Sequence, residues 1–194
     1  PDTMRIDPMD AARRITPRTK AIIAVDYAGQ SCDYDALRAL ASAHGLVLVA
    51  DACHSLGGSY KDRRVGTLAD LTVFSFHPVK HITTGEGGMV VTDNHELAAR
   101  MRRFRNHGID SDHRQRETAG TWVYQMVELG YNYRLTDLQA ALGVSQLAKL
   151  PGWLEKRRTL AAAYDLALGN AALVRPLATL PGNGHASHLY VVRL

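Results

Sequence analysis

The sequence predicts an α/β fold from two observations: near-continuous apolar, β-prone runs at residues 21–27 (AIIAVDY), 46–50 (LVLVA) and 71–76 (LTVFSF), and a helix-spaced segment between the first two. Runs that are apolar on both sides predict a mostly parallel sheet flanked by helices and covered on both faces. In order, 21–27 is the first strand. Asp33 can cap a helix whose Leu37, Leu40, Ala41 and His44 share a face, and Gly45 stops it. The strands at 46–50 and 71–76 follow, then a shorter one at 89–92 (MVVT). Asp93 with Glu96 forms a capping-box pattern for a helix carrying Leu97, Met101 and Phe104, ending near Gly108. Residues 107–134 show no clear period and are read as a long polar loop, a length that in compact domains usually has a function. Thr136 with Gln139 opens another helix running to about Lys149, and Pro151 starts one carrying Trp153, Leu160 and Tyr164. A Gly/Pro-rich stretch at 181–184 and a strand-like tail at 188–194 complete the chain.

Composition narrows the class. With 194 residues, 46% hydrophobic and 22% charged, the chain is neither disordered, collagen-like nor a coiled coil. No apolar run approaches the roughly 18–20 residues that a membrane span needs. Residues 1–10 have neither the basic start nor the apolar core of a secretory signal, so a cytoplasmic setting is expected. Cys32 and Cys53 are read as reduced. A net charge of +4 raises nucleic acid as a partner, but the basic clusters at 61–64, 100–105 and 156–158 lie on different elements without interleaved aromatics. They read as solvated faces, and no nucleic-acid partner is expected.

In an open α/β sheet, ligands bind beyond the carboxyl ends of the strands. The residues there are unusually polar: Asp51, Cys53, His54 and Ser55 after one strand, and Ser75, His77, Lys80 and His81 after the next. A carboxylate directly after an apolar run is partly desolvated and needs a cation or hydrogen-bond donors, for which Lys80 is a candidate. A lysine in such a pocket can condense with an aldehyde. Pyridoxal phosphate chemistry requires that lysine, a carboxylate for the pyridine nitrogen and hydroxyl or backbone donors for the phosphate, and Lys80, Asp51 and Ser75 are of these types. An ordinary strand-end ion pair between Asp51 and Lys80 accounts for the same residues. A metal site built from Asp51, His54, His77 and His81 is disfavoured, because Pro78, Gly85, Gly87 and Gly88 make that segment a loop rather than a helix presenting one face. The GEGG run leads into a strand, so it reads as a tight turn and not a nucleotide-phosphate loop.

The ordered motifs VDYAG (25–29), DACHSLG (51–57), FSFHPVKHITTGEGG (74–88), RNHG (105–108) and YNYRLTDLQAALGVSQL (131–147) resemble the DegT/StrS-type nucleotide-sugar aminotransferases. These are fold-type I pyridoxal phosphate enzymes, and the resemblance runs from about Ala21 to Tyr164. The combination of VDYAG, HPVK and TT-x-EGG is nearest to the branch serving pseudaminic acid biosynthesis. That branch moves an amino group from glutamate to C4 of a UDP-linked 4-keto-6-deoxy-N-acetylhexosamine. The resemblance implies that Lys80 forms the Schiff base and shuttles the proton, Asp51 binds the pyridinium nitrogen, His54 contacts the ring-hydroxyl side, and Ser75 bonds the phosphate. It further implies that Asn132 reaches the phosphate in a partner subunit's site, hence a homodimer, with Arg134 assisting at the substrate. Related sugar dehydratases carry histidine at the position of Lys80. It leaves His77 and His81 without a role.

The resemblance also implies that residues 1–135 form part of the large cofactor-binding domain and 136–194 the linking helices and start of a small α+β C-terminal domain. The family's phosphate-binding turn and ring-stacking aromatic have no counterpart here, so the chain is expected to be a fragment, inactive alone. Other readings are a non-catalytic or metal-binding α/β module, or another fold-type I enzyme such as a desulfurase.

Overall fold

The computed structural model describes residues 2–194. Its helices and strands follow in chain order as α1 (Pro8–Arg14), β1 (Ala21–Val25), α2 (Tyr34–Ala43), β2 (Val47–Asp51), β3 (Ser59–Tyr60), β4 (Arg63–Arg64), β5 (Leu71–Ser75) and β6 (Gly88–Val91). They continue as α3 (His95–Phe104), α4 (His113–Thr118), α5 (Asp137–Leu147), α6 (Leu150–Leu168), β7 (Arg175–Pro176), β8 (Asn183–Gly184) and β9 (Val192–Arg193). The fold is α/β. β1, β2 and β5 run parallel in one sheet, with Ala24 opposite Ala50 and Ala50 opposite Thr72, and β6 closes the sheet antiparallel to β5. α2 is the crossover that parallel order demands between β1 and β2. Asp33 caps it by accepting from the Ala36 N–H, and Gly45 reverses the chain at φ 63°.

Ile22, Ala24, Leu48, Ala50, Thr72 and Phe74 point to one face, where Cys32, Tyr34, Leu37, Ala41, Tyr60 and Leu68 complete a buried core. A second cluster joins Phe74, Phe76 and Ile82 to Leu150 and Leu154 of α6 and to Ala186. The opposite face departs from the sequence expectation. Ile23, Val25, Val47 and Val90 stand 61%, 44%, 41% and 43% exposed, so the described residues cover only one side of the sheet.

Smaller differences concern the helices. Asn94, not Asp93, caps α3, because its side chain accepts from the Leu97 N–H. The stretch expected as a structureless loop contains α4, closed by a reciprocal capping box between Asp112 and Gln115. Thr136 and Gln139 cap α5 as their spacing predicts, so the expected boundary between 135 and 136 falls at the start of that helix. Leu150 and Leu154, rather than Leu160 and Tyr164, are the buried face of α6. The tail forms only the short strand β9 against β7, while β8 extends the small β4–β3 sheet. Both cysteines are free thiols. Among the described residues no helix is long and apolar enough to cross a membrane.

Candidate active site

The carboxyl ends of β1, β2 and β5 deliver Asp26, Asp51 and Ser75 to one edge of the sheet. Asp51 lies opposite Val73, two residues before Ser75, so both side chains stand on the same, open face. Ser75 stands one pleat repeat beyond that partner on the neighbouring strand. Asp51 Oδ1 accepts the Cys53 N–H at 3.1 Å, which turns the chain after β2. Ser75 Oγ accepts the His77 N–H at 3.3 Å, leaving its own hydrogen to donate elsewhere.

Lys80 follows in a loop that Phe76 holds closed, its carbonyl accepting the Thr84 N–H at 3.0 Å and the Thr83 hydroxyl at 3.0 Å. The Lys80 N–H turns back to the His77 carbonyl at 2.9 Å. Lys80 is half-buried and its ammonium has no ion-pair partner among the described residues, which removes the simple ion-pair reading of Asp51 and Lys80. The two charges nevertheless meet on one rim. Burial lowers the His54 imidazole below its ordinary pKa, Lys80 lowers it further and Asp51 opposes. Burial pushes the Cys53 thiol up to about 12, again with Asp51 and Lys80 acting in opposite senses.

His54 Nδ1 accepts the Ala28 N–H at 3.3 Å, so the neutral ring carries its proton on Nε2. Two further histidines gather beside it. The His188 ring lies 4.4 Å from that of His54 and 5.2 Å from that of His81. His81 Nε2–H donates to the Ala186 carbonyl at 2.9 Å. Burial drives the His81 and His188 imidazoles down to about 4 and about 3, so all three rings are neutral near pH 7. Below them Asp26, fully buried, accepts from the Cys32 N–H (2.9 Å), the Tyr34 hydroxyl (2.9 Å) and the Ser55 hydroxyl (2.7 Å). It thereby ties the end of β1 to the loop that carries Asp51 and His54. Sequence reasoning passed over Asp26, although it shows the same signature as Asp51, a carboxylate directly after an apolar strand. His188 had no local signal, since only tertiary folding brings the tail back to residues 28 and 54.

Asn132 and Arg134 are exposed, on the arm before α5. Asn132 forms a β-bridge with Asn106, and Arg134 Nη1 donates to Asn106 Oδ1 at 2.8 Å. No hydrogen bond among the described residues joins either to Asp51, His54, Ser75 or Lys80. His77 is exposed, while the Gly85–Gly88 turn feeds β6 as the glycine spacing predicts, with Gly85 at φ 79° and Gly87 at φ 154°.

Among the described residues no three His, Cys, Asp or Glu side chains converge as a metal site. The donor set instead suits an anionic heterocycle bearing an aldehyde. It offers an amine without an ionic partner, a carboxylate with one oxygen occupied, a hydroxyl with its hydrogen to give, and a neutral imidazole N–H. Pyridoxal phosphate fits this set.

Residues 1–194 match the DegT/DnrJ/EryC1/StrS aminotransferase family along their whole length. The spore coat polysaccharide biosynthesis protein SpsC of Bacillus subtilis (strain 168) is 40% identical over 195 residues, covering 100% of this chain and 50% of SpsC. Helicobacter pylori PseC, an aminotransferase involved in pseudaminic acid biosynthesis, superposes with a TM-score of 0.91 at 37% identity, over 99% of this chain and 50% of PseC. Spr1654 from Streptococcus pneumoniae in its PLP-form superposes with a TM-score of 0.88 at 32% identity, over 100% of this chain and 52% of that one. The chain thus spans about half the length of the relatives it matches.

Proposed function

The chain belongs to the DegT/DnrJ/EryC1/StrS aminotransferase family, and from that premise we propose that its polypeptide transfers an amino group from glutamate to C4 of a UDP-linked 4-keto-6-deoxy-N-acetylhexosamine. The observation carrying this reading is the gathering of Asp51, His54, Ser75 and an unpaired Lys80 on one rim at the carboxyl end of β2 and β5. Pyridoxal phosphate, when bound, supplies an electron sink for the carbon that gains or loses nitrogen.

The chain's own groups divide the remaining work. Lys80 Nζ would hold the cofactor through its aldehyde and, when free, would carry the proton to and from the sugar's C4. Asp51, its Oδ1 already fixed by the Cys53 N–H, keeps the pyridine nitrogen protonated. Ser75 donates its hydroxyl hydrogen to the phosphate, and His54 offers Nε2–H toward the ring hydroxyl. Asn132 and Arg134, exposed on their arm, serve the site of a second subunit, which makes the enzyme a homodimer. Residues 1–135 are read as part of the cofactor-binding large domain and 136–194 as linking helices leading into a small domain. A cytoplasmic setting accords with the two free thiols.

The test uses the full polypeptide. Added pyridoxal phosphate should give a visible absorption band that borohydride abolishes, with the label retained on the peptide containing Lys80, and Lys80→Ala should show neither. Turnover with glutamate across UDP- and dTDP-linked 4-keto sugars should be highest with the UDP-N-acetylhexosamine. Absence of label at Lys80 overturns the cofactor assignment, whereas preference for a dTDP sugar overturns only the substrate.

A further inference from the structure

The tail of the chain takes part in the candidate site. Residues 184–189 lie along the turn Tyr27–Gly29, where the Ala186 N–H donates to the Gly29 carbonyl at 2.9 Å and the His188 N–H to the Ala28 carbonyl at 3.0 Å. Ala28 is therefore a junction, because its carbonyl holds the His188 segment while its N–H holds His54 Nδ1 at 3.3 Å. No side chain fits at Gly29: a Cβ there would come within 2.9–3.0 Å of the Ser187 and His188 nitrogens and the His54 carbonyl. On the other side, Arg157 of α6 donates to the carbonyls of Ser187 (3.4 Å) and His188 (3.3 Å). The His188 ring is thus held from both sides and laid 4.4 Å from that of His54. Its Nδ1 is buried without a hydrogen-bond partner, as is that of His81. Neither nitrogen is repaid by a polar contact within the chain, so the stack is not explained by its own hydrogen bonding.

We propose that His188 is a positioning residue: its ring packs against His54 so that the Ala28 N–H fixes the tautomer with Nδ1 as acceptor and Nε2–H as donor. This deepens the proposed function and rests on it for the identity of what Nε2–H meets. The charged and titratable groups facing the stack are Lys80 and Asp51 at the rim, Tyr27 with its ring 6.0 Å from that of His54, His81 after Lys80, and Arg157 from α6. Burial first and Lys80 second lower the His54 pKa against the opposing Asp51, which favours the neutral ring that a fixed tautomer requires. A ring on one face also excludes the water that would let the imidazole turn and exchange its proton.

The experiment uses the full polypeptide with histidine ring nitrogens labelled with 15N, free and loaded with pyridoxal phosphate. In the wild type, His54 should show a single tautomer with bare Nδ1, retained below the pH at which a free imidazole is half protonated. His188→Leu should produce a mixture of tautomers and shift the His54 titration midpoint upward. His188→Phe, which restores an aromatic face, should return both toward the wild-type values. In the loaded protein, H188L should also make the visible band pH-dependent across that midpoint. Should H188L fail to fold, His188→Gln, which keeps a polar chain without a ring face, is read in the same way. A single bare-Nδ1 tautomer persisting in the folded ring-less variant, or an H188F protein as mixed as H188L, overturns the proposal. The tautomer signal requires no ligand. A wild type that shows the fixed tautomer but takes up no pyridoxal phosphate would sink the cofactor reading while leaving the positioning role intact.

Discussion

Asp26 carries a large structural load for one side chain. Its carboxylate, fully buried, holds a backbone N–H and a hydroxyl from the start of α2 and a second hydroxyl from the loop after β2. Removing the acceptor in Asp26→Ala leaves those donors unpaired in the interior and should cost roughly 2–5 kcal/mol by denaturant unfolding of the full polypeptide. Desolvation raises its pKa above the ordinary 3.8, against the hydrogen bonds from Ser55, Cys32 and Tyr34 that lower it. A folded-state pKa above the unfolded value means that the native state binds the proton more tightly. This contribution is full below about pH 3.8 and is lost as pH rises through the higher native value. Asp26→Asn cannot titrate, so its stability relative to wild type should rise with pH across that window. A difference independent of pH would show that the carboxylate is fully compensated by its donors. The same residue marks the limit of reading single positions from sequence. A carboxylate after an apolar run identifies Asp26 and Asp51 equally, and only the three-dimensional donors separate a structural anchor from a candidate site residue.

At the scale of elements, legibility depended on how local the determining interaction is. The strands β1, β2 and β5 and the helices α2 and α5 are written in runs of apolar residues and in caps a few positions away, so their types follow from sequence. α4 was missed although Asp112 and Gln115 have the capping-box spacing, because the helix that follows, HRQRET, has no apolar face to mark it. The two-residue strands β7, β8 and β9 depend on partners distant in sequence, and the β3–β4 hairpin is too short to show a pattern of alternation. The tail belongs to this last group, and its docking is coupled to pH through His81 and His188. Their imidazoles, pushed by burial down to about 4 and about 3 from 6.5, are neutral in the native state over a range where the unfolded chain is protonated. Stability from the docked tail is therefore full above about pH 6.5 and lost as pH falls toward 4. Amide exchange at Ala186 and His188, corrected for intrinsic rates, should lose protection on acidification from pH 7 to 5 before the β1–β2 amides do. Simultaneous loss at both places would mean that the tail has no separate opening transition.

For the molecule as a whole, the candidate site sits at the edge of an exposed apolar face. The prediction of a sheet covered on both faces came from strands apolar on both sides. The residues that suggested it, Ile23, Val25, Val47 and Val90, are those left exposed here. Asp51 and Ser75 share that open face, so the described residues enclose a ligand at the rim from one side only. More apolar surface is displayed on the arm and on α5, where Trp122, Leu129 and Leu138 stand 84%, 83% and 86% exposed. Burying an aliphatic or aromatic side chain of this size is worth about 1.5–3 kcal/mol, and contiguous exposed patches of this kind promote association. Residues 1–194 produced alone should therefore bind a hydrophobic dye and sediment as concentration-dependent oligomers. Ile23→Glu with Val25→Glu should weaken that association by placing charge on the open face. A monomeric, cooperatively melting 194-residue product indifferent to both substitutions would mean that this face is stable in water, and the rim would then have to bind its ligand half in solvent.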